Sequence, residues 1–494
     1  MITATWLASS EKRLPSSPRL RHNVDNIDST MSAEDFASLL AGVTSHIAAR
    51  DASLSSLPTF PSPDEVAVAV AALPSSLPDT GLGTQASLSV IQQVLNGCTV
   101  GQAGPRYFGF VTGGVTPAAQ LADMLLSSHD ENVQVSLPTT AAVRTEQKAL
   151  QLVSELLGLE GFEGRTITTG ATASNVLGMA CARDAVASPT SVLALHPHFS
   201  IVKACSLVGL GRKIVTVPPS PDNELAFDLE ALKAQLKKDK NEGKGSIVVI
   251  GLGEVNTGGF PGNVPQVAEL CKEYGAWLHV DAAFGGFAAA VPEVAHLTEG
   301  MCLADSITLD GHKWLNVPYD CGLFFTRKMK SLTDVLGPGE DAPAYLASNS
   351  ETPSPLYVNI ENSRRFRALP LLASLVSLGR EGYVDSRQGL TSDIFRRNCA
   401  FARQVAEYLD RHPNYELLNR QEGNHIVPLN IVLFAEKQPQ EQPLADRINN
   451  TRKVYVSGTA WRGQKAVRLA VSNWRTGDAD LEIVKQVLDE VVQK

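Results

Sequence analysis

The chain has 494 residues, 44% of them apolar and 19% charged, with 28 Pro and 38 Gly. At about 150 residues per domain this is two or three structural units, with room for a sizeable core and a deep cleft, and a mini-protein held by disulfides or metal is excluded. Forty-three basic against fifty-two acidic residues leave a formal charge of −9, which argues against general affinity for nucleic-acid phosphates, so an anionic ligand needs a local site. No apolar run approaches the roughly 18 to 20 residues of a membrane helix; neither nucleic acid nor membrane is an expected partner. The seven cysteines are scattered and form no C-x-x-C pair. They read as reduced thiols of an intracellular, cytoplasmic protein, and no metal site is expected.

Residues 1–30 mix Ser, Arg and Pro with acidic residues, lack the apolar core of a signal peptide, and read as a flexible tail with Met31 as an alternative start. Behind Ser32-Ala-Glu-Asp, the residues Phe36, Leu39, Leu40, Val43 and Ile47 recur at helical spacing, an amphipathic helix that needs a partner surface. Pro/Ser-rich stretches at Ser53 to Pro63 and Pro74 to Gly83 make residues 31–103 a helical and extended segment and not an independent domain.

Across residues 104–382, β-rich runs alternate with helical patterns. The runs are Thr166-Ile-Thr, Ser191-Val-Leu-Ala-Leu, Lys213-Ile-Val-Thr-Val, Ser246-Ile-Val-Val-Ile, Trp277-Leu-His-Val and Ser306-Ile-Thr-Leu; Ala173 to Arg183 and Val264 to Tyr274 are helical. Alternation of this kind predicts a large α/β domain with a mostly parallel sheet between helices, and chemistry at the carboxyl ends of the strands. Residues 383–494 read as a small α+β domain: a helix from Gly389 to His412, a strand from His425 to Phe434, an extended stretch from Val454 to Ser457 and a helix from Asp478 to Val492.

Four strand ends carry chemistry-bearing residues. Beyond Ser306-Ile-Thr-Leu comes Asp310-Gly-His-Lys-Trp, where Lys313 is either a semi-buried amine able to form a Schiff base or a surface lysine beside a core tryptophan. Trp277-Leu-His-Val-Asp-Ala-Ala ends on Asp281, a carboxylate placed to pair with a ring nitrogen or to cap the following loop; Ala282 and Ala283 leave room for a flat ring. Thr168-Thr-Gly-Ala-Thr-Ala-Ser-Asn opens a helix, as a phosphate cup or as a plain N-cap. Leu195-His-Pro-His puts His198 after another strand, where it stacks on a ring or serves structure alone.

In this order, the four signals resemble the site of the pyridoxal-dependent group II amino-acid decarboxylases, the family of aromatic-amino-acid, tyrosine and glutamate decarboxylases. The resemblance runs from Gly104 to Gly382, densest in the His-Lys-Trp and His-Val-Asp-Ala-Ala blocks, and more loosely through both ends. It implies the aminotransferase-like fold (fold type I), pyridoxal 5'-phosphate, an amino-acid substrate and a homodimer in which the helix at Phe36 to Ile47 makes a dimer contact. Lys313 would carry the cofactor, Asp281 pair with its ring nitrogen, and His198 stack on the ring face opposite Ala283. Ala171, Thr172 and His312 look like the phosphate contacts. Glu361-Asn-Ser-Arg-Arg-Phe-Arg resembles the family's arginine turn, whose Arg364 and Arg365 orient a carboxylate unless they are surface ion pairs. Pro338 to Asn349 has a mobile lid's composition and places Tyr345 where the family's decarboxylases keep the tyrosine that reprotonates the α-carbon. Pro105-Arg-Tyr-Phe-Gly-Phe-Val-Thr resembles the substrate-side loop, with Phe108 to Thr112 as pocket residues.

One departure stands out: Gly253-Glu-Val-Asn-Thr-Gly replaces the family's Gly-Thr-Thr, so Glu254 and Val255 bear on the substrate pocket. The implied reaction is decarboxylation of an L-amino acid, aromatic favoured. Its alternatives are an aldehyde synthase or retro-aldol lyase of the same fold, and a catalytically silent cofactor-binding subunit. A nicotinamide-dependent dehydrogenase, suggested by Gly251-Leu-Gly, fails on the spacing of the third glycine.

Overall fold

A computed structural model describes residues 31–98, 101–134, 140–337, 354–384, 393–421 and 425–493. Of these, residues 31–52 and 62–98 form one compact unit, and residues 53–61 and 101–493 another.

The first unit contains the expected helix, Ala33–Ser53, with no buried residue. It also contains two helices, Pro63–Ala71 and Thr84–Asn96, where the sequence suggested extended chain. The first of these is set by its start. Ser62 accepts from the Glu65 amide, Glu65 reaches back to the Ser62 amide, and Pro63 occupies the first helical position. The Val66-Ala-Val-Ala-Val alternation conceals it by imitating a strand; the capping box outweighs that pattern.

The second unit is built on a seven-stranded sheet. In chain order its strands are β1 (Gly164–Thr168), β2 (Thr190–Ala194), β3 (Val215–Thr216), β6 (Gly245–Gly251), β7 (Trp277–Asp281), β8 (Ser306–Asp310) and β9 (Gly322–Thr326), with a separate hairpin of β4 (Pro219–Ser220) and β5 (Asn223–Phe227) between β3 and β6. The order across the sheet is β1-β9-β8-β7-β6-β2-β3. All neighbours are parallel except around β9, which runs antiparallel to both β1 and β8. The fold class is therefore α/β, with a mostly parallel sheet, as the alternation of elements indicates. Strand β9 is absent from the sequence reading; it follows β8 after only the short helix Gly311–Trp314 and a loop, and pairs antiparallel to it, outside the strand–helix alternation that marks the others.

A second, four-stranded antiparallel sheet follows: β10 (Tyr415–Leu417), β11 (Ile431–Glu436), β12 (Ser457–Trp461) and β13 (Gln464–Ala470), in the order β10-β11-β13-β12. Helices Ile394–Arg411 and Asp478–Gln493 share an apolar cluster with it through Val405, Leu409, Val484 and Leu488. The helix expected from Gly389 begins, in the described residues, at Ile394, and the strand expected over His425 to Phe434 is confined to β11. Among the described residues no helix is long and apolar enough to cross a membrane.

Register fixes what reaches the sheet's active edge. Gly251 pairs with Asp281, Asp281 with Thr308, and Asp310 with Gly322, which on its other side pairs with Thr168. Gly322 is required there by close approach: a Cβ would lie 2.5 Å from the Gly170 Cα. Just past β8, Trp314 is fully buried against Phe395 and donates its indole N–H to Asn398 at 2.8 Å, anchoring the turn that carries Lys313.

Arg364 is buried, and its guanidinium makes two bonds, of 2.6 and 2.7 Å, to the buried Glu146. It is neither a surface ion pair nor part of the main cavity described below. Truncating one member strands the other's charge, so Arg364→Ala is expected to cost about 3–5 kcal/mol in denaturant unfolding, with the double change Glu146→Leu and Arg364→Met recovering most of it. Equal losses in the single and double variants would contradict this.

Candidate active site

The carboxyl ends of β1, β2, β6, β7 and β8 converge on a cavity of about 920 Å³. Its lining includes every residue assigned above to the cofactor: Ala171, Thr172, His198, Asp281, Ala283, His312 and Lys313.

The short helix Gly311–Trp314 follows β8 directly and lifts Lys313 into the cavity. Its Nζ lies 3.0 Å from Asp310 Oδ2 and 5.9 Å from the centre of the Phe284 ring. The other oxygen of Asp310 accepts the Ala171 N–H at 2.6 Å and lies 3.5 Å from His312 Nε2. One carboxylate thus ties the lysine, the histidine and the start of helix Ala171–Ala185 together. That helix has Gly170 at its N-cap and no side-chain cap, so its positive end faces the cavity. With the Ala171 amide engaged, Thr172 is the next residue an anion would meet. His312 sits on Tyr319, ring centres 4.3 Å apart, and burial holds its pKa below the usual imidazole value. The loop that brings Phe110 and Val111 to the cavity reaches it through Gly113, where a Cβ would overlap the Lys313 carbonyl oxygen.

Asp281 ends β7. Its Oδ2 accepts from Asn175 Nδ2 at 2.9 Å, and its Oδ1 accepts from the Ala283 amide at 3.3 Å. His198 caps helix Phe199–Leu207, with Nδ1 2.7 Å from Ser200 Oγ and 3.2 Å from the Ser200 amide. The carboxylate therefore does turn its own loop, as a cap would, while still facing the cavity.

The remaining assignments are scattered. Phe108 is buried against Phe401 in the small sheet's apolar cluster, and Thr112 is buried with its hydroxyl on the Gly109 carbonyl; neither lines the cavity, whereas their neighbours Phe110 and Val111 do. Arg365 pairs at the surface with Asp123 at 2.8 Å. Tyr345 lies outside the described residues. Glu254 lines the cavity, but its carboxylate accepts from the Asn256 and Thr257 amides, the Thr257 hydroxyl and the Asn256 side chain, which commits it to its own turn.

Sequence reading missed Arg468, on β13. It is 5% exposed and lines the cavity; it donates to the carbonyls of Val255 and Phe110, while Nη2 has no partner among the described residues. Burial lowers its pKa to about 10, against the opposing pull of Glu254, and it stays charged at neutral pH. The available signal was a lone cation inside the apolar run Ala466-Val-Arg-Leu-Ala-Val.

The family model for the pyridoxal-dependent decarboxylase conserved domain matches residues 68–429. The chain belongs to the pyridoxal-dependent decarboxylase family. An aromatic-L-amino-acid decarboxylase of Bacillus atrophaeus is 27% identical over 369 residues, 73% of each chain. In fold, the chain is similar to the Oryza sativa TDC crystallised with PLP and tryptamine (TM-score 0.83, 23% identity, 94% of this chain and 99% of that one) and to Rhodiola rosea 4-hydroxyphenylacetaldehyde synthase (0.78, 20%, 94% and 99%). This decarboxylase-family chain takes pyridoxal phosphate as its cofactor and is a carboxy-lyase by class. Its cavity fits that group: an amine, a strand-end carboxylate, an imidazole and an uncapped helix end line one space.

Behind the cavity, His279 is fully buried, and burial pushes its pKa from 6.5 down to about 4, against the pull of Asp281. As pH falls, the unfolded chain takes up this proton first. The neutral ring's contribution is therefore complete above pH 6.5 and drains between 6.5 and 4, a loss on the order of 3 kcal/mol. Calorimetry across that range should show a steeper fall in Tm for the wild type than for His279→Gln; matching slopes would contradict the assignment.

Proposed function

We propose that this decarboxylase converts an L-amino acid, aromatic ones favoured, to its amine and carbon dioxide. The observation that carries the reading is Lys313 Nζ, 3.0 Å from Asp310, in one cavity with Asp281, His198 and an uncapped helix end. In this reading Lys313 would hold the cofactor's carbonyl carbon, Asp281 would pair with the ring nitrogen, and His198 would stack on the ring, opposite Ala283. Thr172, Ala171 and His312 receive the phosphate.

Pyridoxal phosphate, when bound, supplies a ring that accepts the electron pair released as a bond at the substrate's α-carbon breaks. The protein's part would be to hold a proton on that ring's nitrogen with the Asp281 carboxylate and to fix which bond at the α-carbon breaks by the way it holds the substrate. Lys313 would serve in release of the amine product, and Tyr345, by resemblance, would return a proton to the α-carbon. Phe110 and Trp461 give the substrate side of the cavity an aromatic wall, which supports an aromatic side chain. Arg468 favours a second reading, a substrate with a side-chain carboxylate, because its Nη2 is buried and, among the described residues, has no partner. The homodimer implied by resemblance belongs to this proposal; the unburied apolar residues Phe36 and Leu40 of helix Ala33–Ser53 support it.

Carbon dioxide release and product analysis over a panel of aromatic, acidic and diamino acids test the reading. One aromatic substrate should give stoichiometric amine, and Lys313→Ala should reduce release to background and abolish the cofactor's visible absorbance. Aldehyde with peroxide in place of amine, or turnover surviving in Lys313→Ala, would overturn it.

A further inference from the structure

The groups behind Asp281 form a hydrogen-bonded chain whose donor direction is fixed at every link. Asp281 is the starting point, because an ionised carboxylate only accepts. The Asn175 atom 2.9 Å from Asp281 Oδ2 must therefore be its amide nitrogen, and the same nitrogen donates to Ser200 Oγ at 2.9 Å. Asn175 Oδ1 then faces His279 Nε2 at 2.9 Å as an acceptor, so Nε2 carries the imidazole proton. The ring is neutral at physiological pH because burial lowers its pKa. Its Nδ1 consequently accepts, from Ser306 Oγ at 2.8 Å, and Ser306 in turn accepts the indole N–H of Trp277 at 2.9 Å. At the other end, Ser200 Oγ receives the Asn175 N–H and is free to donate to His198 Nδ1 at 2.7 Å, which leaves the His198 proton on Nε2.

We infer that His279 and Asn175 are positioning residues for the cofactor: the His279 Nε2–H selects the Asn175 amide orientation that aims both of its donors forward, one at Asp281 and one, through Ser200, at His198. The two groups that grip the ring, one at its nitrogen and one on its face, are thereby set by a single buried imidazole. Without that donor Asn175 Oδ1 is left buried and unmatched, and the amide that aims at Asp281 and Ser200 loses the bond holding it from behind. The fold invests in the ring's placement: a Cβ on Gly178 would lie 2.4 Å from His279 Cε1, so helix Ala171–Ala185 packs its backbone onto the imidazole there. The charged group acting on His279 is Asp281, from the same strand.

This inference rests on cofactor binding as described above, and its test separates the two. The holoenzyme, His279→Leu, His279→Gln and Ser306→Ala are compared by pyridoxal phosphate affinity and by the pH titration of the bound cofactor's visible absorbance. His279→Leu keeps the bulk and loses the donor; His279→Gln offers an amide N–H in place of Nε2. The leucine variant should bind the cofactor about tenfold more weakly, in the range of second-shell effects, and shift the titration midpoint by about half a unit or more. The glutamine variant should recover affinity to within about twofold, because the donor is restored. Ser306→Ala, which unlocks the tautomer from the far end and makes the smallest change in volume, should shift the midpoint in the same direction as leucine. Leucine and glutamine variants that lose affinity equally would reduce His279 to packing and overturn the inference, as would wild-type affinity and midpoint in both His279→Leu and Ser306→Ala. A wild-type protein with no visible absorbance after cofactor addition would overturn the inference and the functional reading together.

Discussion

The Asp310 carboxylate is the constraint on which the site depends. It closes β8, and its two oxygens engage three groups on two helices: the Lys313 ammonium at 3.0 Å, the Ala171 amide at 2.6 Å and, more loosely, His312 at 3.5 Å. A lysine on a four-residue helix would otherwise be free to sample solvent. Here its charge is balanced by a carboxylate 5% exposed, while Trp314, one residue on, is sunk into the core. The same carboxylate accepts the first amide of a helix whose own N-cap residue, Gly170, has no side chain to cap it, so the amine and that helix end are held in a single register.

Sheet topology supplies the rest. Parallel strands end on the same side, and the pairing of Gly251 with Asp281 and of Asp281 with Thr308 sets the Asp281 carboxylate beside the β8 turn. Behind this edge Asn175, His279, Ser306 and Ser200 satisfy one another's buried polar atoms. Gly113 and Gly322 mark where backbone comes too near for a side chain: one against the lysine's carbonyl, the other against the backbone of Gly170.

Much of this was legible in the sequence. Lys313, Asp281 and His198 each follow an apolar run that ends abruptly, and a parallel sheet turns that local fact into spatial convergence. Strand β9 and helix Pro63–Ala71 were not legible, the first because it follows β8 outside the strand–helix alternation, the second because alternating Val and Ala mimic a strand while the deciding cap is two side chains. Phe108 and Phe110 show the limit of reading a loop by composition. Both are aromatic, yet backbone geometry buries one against Phe401 and turns the other, at φ +54°, to the cavity. Arg364 and Arg468 make the same point for charge: one is consumed by Glu146, and the other keeps an unpaired nitrogen at the cavity.

The most direct measurement is borohydride reduction of the protein after incubation with pyridoxal phosphate, followed by peptide mass spectrometry. The geometry at Asp310 predicts a single pyridoxyl modification, on Lys313. Modification at another lysine, or none while the cofactor remains bound, would contradict the assignment of the reactive amine on which the site has been built.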